Sequence, residues 1–127
     1  MIYLDSSVAL AQLLTEERRP PAEFWADTLI SSRLLEFEML NVLRSRGLLR
    51  SHEALARELL GRVGILELIP EIVEHSKTSR SPLRTLDALH LGSLQFLSNQ
   101  GMPIELASYD ERMIEAARKL KISIRPL

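Results

Sequence analysis

Short apolar runs alternate with longer amphipathic stretches from one end of this chain to the other, and that alternation restricts the fold more than any other feature. "MIYLD", "LISS", "GILELIP", "PIELASYD" and "ISIRP" each read as a short strand. Helical patterns fill the intervals. "SSVALAQLLTEE" is the first, stopped by "RRPP" because proline cannot continue a helix, and "PAEFWADT" is a shorter one. "RLLEFEMLNVLRSRG" has Leu34, Phe37, Leu40 and Leu43 tracing one apolar face, with Gly47 as its end. "SHEALARELLGRV" follows with Ser51 as cap, then "EIVEHSKTS", a loop at "RSPLR", "TLDALHLGSLQFLSNQG" from Thr85 to Gly101, and "ERMIEAARKL". Strands separated by helices run parallel, and a parallel sheet is covered on both faces. The expected fold is therefore α/β, a short parallel sheet between two layers of helices.

A chain of 127 residues suits a single domain, 1–127, with one full core. The absence of cysteine excludes disulfides, zinc–thiolate sites and a cysteine nucleophile, and makes the cytoplasm the expected compartment. No apolar run is long enough to span a bilayer, and the N-terminus lacks the basic stretch and apolar core of a signal peptide. Net charge is −1, so any contact with nucleic acid must come from a local basic patch.

Four acids stand out against this background. Asp5 closes the first strand and Asp110 the fourth, and in a parallel sheet those ends share the rim where functional sites lie. Glu38, in "SRLLEFEML", and Asp87, in "RTLDALHLGSL", fall in the first turns of helices that start at the same rim. Each has an ordinary explanation. Asp5 and Asp110 can cap the helices that follow, a contact worth about 0.5–2 kcal/mol. Asp87 can favour a positive helix end, worth roughly 0.3–1 kcal/mol. Glu38 can face solvent, as its neighbour Glu36 does. As a set they are harder to explain this way. Two like charges about 5 Å apart repel by roughly 3 kcal/mol at an effective dielectric constant of about 20, so four at one rim cost more than caps return. A divalent cation removes that cost. An all-carboxylate set suits Mg²⁺ or Mn²⁺ rather than zinc. Such a site activates water and stabilises charge on a phosphoryl group, which points to phosphodiester hydrolysis.

"MIYLDSSVALAQLL", "SSRLLEFEMLNVLRSR", "RTLDALHLGSL" and "LASYDERMIEAARKLKISIRPL", in this order and spacing, resemble PIN-domain proteins, and among them the VapC-type toxins of prokaryotic toxin–antitoxin pairs. The resemblance covers essentially the whole chain. It implies a three-layer α/β/α sandwich and a Mg²⁺- or Mn²⁺-dependent endoribonuclease. The family's four acids match Asp5, Glu38, Asp87 and Asp110. Asn41, three residues after Glu38, fits the pattern, and Glu36 is out of register. Ser6 and Ser108 stand where the family often has threonine, and Ser7 matches a usual serine that orients a ligand or its water. By this resemblance Asp5, Asp87 and Asp110 are the most direct metal ligands, and Glu38 acts through water. One metal and two metals both remain open. The implied partners are RNA, a cognate antitoxin and a second copy of the chain.

Other residues carry two readings. His90 follows Asp87 on one helix face; a buried histidine with a satisfied hydrogen bond explains it, and the family does not use it as a ligand. His52 and His75 read as solvated. Arg80 and Arg84 either bind substrate phosphate or are loop arginines that shield the acids. Arg44, Arg46 and Arg50 form a basic helix end that the helix dipole already favours. Leu13, Leu14, Phe24 and Trp25 are candidates for a dimer face or an antitoxin groove, and Tyr3 for the core. The alternatives are a housekeeping RNA-processing nuclease of the same fold and a catalytically silent protein-binding module. The compact chain without an appended RNA-binding module favours the toxin. A dehalogenase-type phosphatase would want a second aspartate where Ser7 stands.

Overall fold

The structure, a computed structural model, describes residues 1–77 and 83–127. Strands β1 (Ile2–Leu4), β2 (Leu29–Ser32), β3 (Val63–Leu66), β4 (Glu105–Ala107) and β5 (Ser123–Ile124) form one sheet in the order β3-β2-β1-β4-β5, with every neighbouring pair parallel. Helices α1 (Ser6–Leu13), α2 (Leu34–Ser45), α3 (Leu49–Leu60), α4 (Pro70–Lys77), α5 (Thr85–Asn99) and α6 (Glu111–Lys119) fill the connections, with a 3-10 turn over Ala22–Ala26.

The alternation of side chains along β1 separates two cores. Ile2 and Leu4 point into one, built from Val8 of α1, Leu35, Met39 and Leu43 of α2, and Ala56 and Leu59 of α3. Tyr3 points into the other, among Leu91, Leu94 and Leu97 of α5 and Met113, Ala116 and Ala117 of α6. The result is the expected α/β/α sandwich. The chain lays β1, β2 and β3 outward in one direction, then returns to place β4 and β5 on the far side of β1. Strand order therefore reverses between β1 and β4, the point at which sheets of this kind place their functional sites, beyond the carboxyl ends of the strands.

Several boundaries differ from the sequence reading. Glycine ends α2 and α5 as expected. Gly47 (φ 69°) and Gly101 (φ 80°) take the left-handed conformation, and the Leu48 and Met102 N–H groups reach back to the Leu43 and Leu97 carbonyls. Ser51, however, does not cap α3, which begins at Leu49; its hydroxyl bonds the Leu48 carbonyl instead. Pro70 opens α4 rather than closing β3, since the first helical position needs no N–H. The loop expected at "RSPLR" lies largely outside the described residues.

The apolar face of α2 is also corrected. Leu35, Met39 and Leu43 are its buried residues, Leu34 and Leu40 are half-buried, and Phe37 is 63% exposed. The sequence offers two overlapping stripes one residue apart. A single residue, Arg33, joins β2 to α2 and sets the rotation that chooses between them. The stripe proposed for docking is likewise not free: Leu13 and Phe24 are buried in the first core.

Gly92 is where α4 lies against α5. A Cβ there would collide with Ser76 Oγ and stand 2.9 Å from the Ile72 carbonyl oxygen. Ser76 cannot move aside freely, because its hydroxyl donates to that carbonyl (2.8 Å). Gly92→Ala should therefore destabilise the fold by about 1–3 kcal/mol, although alanine is the better helix former. A lower urea midpoint at unchanged slope checks this; an unchanged midpoint refutes the tight crossing.

Candidate active site at the sheet switch point

Asp5 leaves β1 at the reversal of strand order, and its N–H extends the β1–β4 ladder to the Ala107 carbonyl (3.0 Å). It is 2% exposed. Its Oδ2 accepts from Ser7 Oγ (2.6 Å), Ser108 Oγ (2.8 Å) and, more weakly, the Ser7 N–H (3.4 Å), which makes it the N-cap of α1. Each serine in turn accepts a backbone N–H from the loop after β4: Ser7 from Tyr109 and Ser108 from Asp110, both at 2.9 Å. Both hydroxyl protons are thus spent on Asp5, and the two serines tie that loop to it. Among the described residues, Asp5 Oδ1 takes no hydrogen bond.

Asp110 does not end a strand. β4 stops at Ala107, and the serine bonds turn the chain toward α1, so Asp110 becomes the N-cap of α6, with Oδ1 accepting the Arg112 N–H (2.9 Å). It nevertheless stays at the expected rim. Its Oδ2 is free among the described residues. The ordinary capping role and the site role therefore coexist, one oxygen for each.

Glu38 lies in the second turn of α2, largely buried. Its Oε2 accepts from Ser6 Oγ (3.0 Å), and its Oε1 makes a short contact with His90 Nε2. Glu36 turns away and pairs with Arg33 at 3.7 Å. Asp87, in the first turn of α5, is half-buried and has no hydrogen-bond donor among the described residues. Burial, then the charges of Asp5, Asp110 and Glu38, hold its carboxyl above the usual range, with His90 offsetting part of this. The other three acids thus lie near enough to act on the charge of Asp87.

His90 is 1% exposed. Burial alone would discharge its ring, but the Glu38 bond and the charges of Glu38, Asp5 and Asp87 outweigh it and raise the imidazole above the ordinary histidine value. Its Nδ1 faces the Tyr3 hydroxyl at 2.7 Å, and burial keeps that phenol protonated. The sequence reading had the satisfied bond of His90 but neither partner.

Arg84 is exposed just ahead of α5, and Arg80 lies outside the described residues. Arg18, read from sequence as part of a helix stop, instead covers the Tyr109 ring at 4.5 Å. The two line a groove of about 330 Å³ beside Ser7, together with Arg46. No sequence signal links residues so far apart.

The family model for the PIN domain matches residues 2–119. The chain belongs to the PIN domain family. Ribonuclease VapC35 of Mycobacterium tuberculosis is 29% identical to it over 132 residues, 98% of this chain and 95% of that one. Ribonuclease VapC46 of the same organism is 29% identical over 128 residues, 97% of this chain and 95% of that one. A chain of a toxin–antitoxin complex from Klebsiella pneumoniae superposes with a TM-score of 0.66 over 87% of each chain, at 20% identity. A protein of Pyrobaculum aerophilum does so at 0.66 over 91% of this chain and 83% of its own, at 15% identity. At these identities the structural likeness is one of fold.

The donors of this PIN domain fit a hard divalent cation. They are all oxygen, and Asp5 Oδ1, Asp110 Oδ2 and the Asp87 carboxylate have no competing donor among the described residues. No three histidine, aspartate or glutamate side chains among those residues already stand as a closed metal cage. Mg²⁺ takes oxygen donors of this kind and keeps several of its waters when bound.

Proposed function

We propose that this PIN domain is an endoribonuclease that uses Mg²⁺ or Mn²⁺ and acts as the toxin of a toxin–antitoxin pair. The observation that carries the reading is Asp87: a half-buried carboxylate without a donor among the described residues, held above its usual range by burial and by three further acids. Such a group is unfavourable in a resting fold and favourable around a cation. Family membership and the ribonuclease names of the relatives support the same chemistry.

Asp5, Asp87 and Asp110 would hold the cation. When bound, it would supply Lewis-acid stabilisation of the phosphoryl oxygens and a more acidic water. Glu38, held by Ser6 and His90, would orient the attacking water. Ser7 and Ser108 keep Asp5 turned so that one oxygen stays free, and Arg84 neutralises a substrate phosphate at the rim. The protein would act in the cytoplasm, pair with itself and be held inactive by a cognate antitoxin; the presence of a toxin–antitoxin complex among its fold relatives supports the antitoxin partner. No helix among the described residues is long and apolar enough to cross a membrane.

The test is cleavage of a mixed set of structured RNAs by the purified protein with Mg²⁺, Mn²⁺ or EDTA. Cutting that appears with either cation and stops in EDTA is the expected result. Cutting that persists in EDTA would overturn the metal reading.

A further inference from the structure

A chain of hydrogen bonds leads from the core into the candidate site. It begins at Tyr3, fully buried in the middle of β1, whose hydroxyl meets His90 Nδ1 at 2.7 Å. It continues from His90 Nε2 to Glu38 Oε1. An ionised carboxylate only accepts, so Nε2 carries a proton whether or not Nδ1 does. The Tyr3 and His90 rings meet edge-on, 5.8 Å apart at 80°, so the imidazole is held by packing as well as by its bonds. Glu38 takes its second bond, at Oε2, from Ser6, the neighbour of Asp5. Three elements thus fix one carboxylate: α5 through His90, the start of α1 through Ser6, and α2 through its own backbone.

This differs from the treatment of the other acids. Among the described residues, Asp5 and Asp110 each keep an oxygen free and Asp87 takes no bond. Glu38 has both oxygens engaged and shares its charge with an imidazole. A group so held is a poorer cation ligand and a better-aimed partner for water.

We propose that His90, locked by Tyr3, is a positioning residue that sets the orientation of Glu38 in this PIN domain. The proposal rests on the nuclease reading for its consequence in catalysis, and on the hydrogen-bond chain alone for its geometry. A purely structural role would lower stability and leave turnover per folded molecule unchanged. A positioning role lowers turnover itself, because second contacts that orient a site carboxylate typically control 10–100-fold in activity or metal affinity.

Two measurements decide it. The first is ¹⁵N NMR of the imidazole in the metal-free full chain. A protonated, slowly exchanging Nε2 is expected, with the Nδ1 resonance moved by Tyr3→Phe. An unprotonated Nε2, or no response to Tyr3→Phe, would overturn the chain of bonds. The second is kinetics and Mn²⁺ calorimetry on folded variants. His90→Leu should lose about 10–100-fold in kcat with KM for RNA unchanged. His90→Gln, whose amide nitrogen can take the place of Nε2, should recover to within about fivefold, and Tyr3→Phe should lose about fivefold, the effect of one hydrogen bond. Equal activity in His90→Leu and His90→Gln would overturn the positioning role. If His90→Leu does not fold, His90→Gln and Tyr3→Phe still decide. If the parent protein cuts no RNA under any condition, the nuclease reading fails, while the imidazole spectrum still tests the hydrogen-bond chain that holds Glu38.

Discussion

Asp5→Asn should reduce RNA cleavage by on the order of 10³-fold while leaving the fold almost untouched. The size follows from removing a ligand charge that supports several kcal/mol of transition-state stabilisation, each 1.36 kcal/mol being about tenfold. The specificity of the loss follows from the hydrogen bonds. Ser7 Oγ and Ser108 Oγ both donate to Oδ2, and an asparagine carbonyl oxygen accepts those donors equally well. The amide nitrogen then takes the place of Oδ1 and presents N–H groups where a cation would sit. Asparagine also caps helices about as well as aspartate, so α1 keeps its start. The check is kcat/KM against RNA beside a thermal melt, with calorimetric titration of Mn²⁺. Wild-type cleavage in a folded Asp5→Asn protein would remove this residue from the site.

Asp87→Asn should move stability and activity in opposite directions. In the metal-free protein its charge is opposed by burial and by three other acids, so neutralising it should raise the melting temperature by a few degrees. The same change should abolish most cleavage and most of the stabilisation that Mn²⁺ gives the parent. A cation at about 100 times its dissociation constant contributes about 2.7 kcal/mol, which for a chain of this length is roughly 10 °C. The pH dependence has a definite sign. The carboxyl of Asp87 is raised in the folded state, so the native protein takes up this proton before the unfolded chain does. Between the ordinary carboxylate range and the raised folded value, this group's contribution to stability therefore improves as pH falls. It worsens as pH rises, and the cost is fully present above the raised folded value. Subtracting the melts of Asp87→Asn from those of the parent isolates that slope. A difference that does not change with pH, or an asparagine variant less stable than the parent without metal, would mean that the four acids do not share a field.

The separate parts of this site differ in how far the sequence reveals them. Asp5 can be placed from pattern alone, because a parallel sheet puts the ends of all its strands on one edge and because an acid directly after an apolar run is unusual; Asp110 reaches that rim as the N-cap of α6, three residues beyond the end of β4. The carboxyl end of a helix needs only a glycine able to adopt positive φ, and Gly47 and Gly101 are where the pattern puts them. The face of α2 is not legible in this way. Its apolar residues fit two stripes, and the rotation is set by a one-residue link to β2, so Phe37 lies outside and Met39 inside. The bonds of His90 are equally hidden, since its partners are 87 and 52 residues away in sequence.

What the sequence determined by itself is local: the alternation of strand and helix, the acids at the rim, and the breaks between elements, all governed by backbone preferences and hydrophobic period within a few residues. What the tertiary structure decided is which oxygen of each acid is already occupied. Asp5 and Asp110 give one oxygen to a helix start, Glu38 gives both to Ser6 and His90, and Asp87 gives none among the described residues. Hydrogen bonds of this kind act over about 3 Å between groups brought together only when the sheet reverses its order at β1. No periodicity in the chain records that meeting.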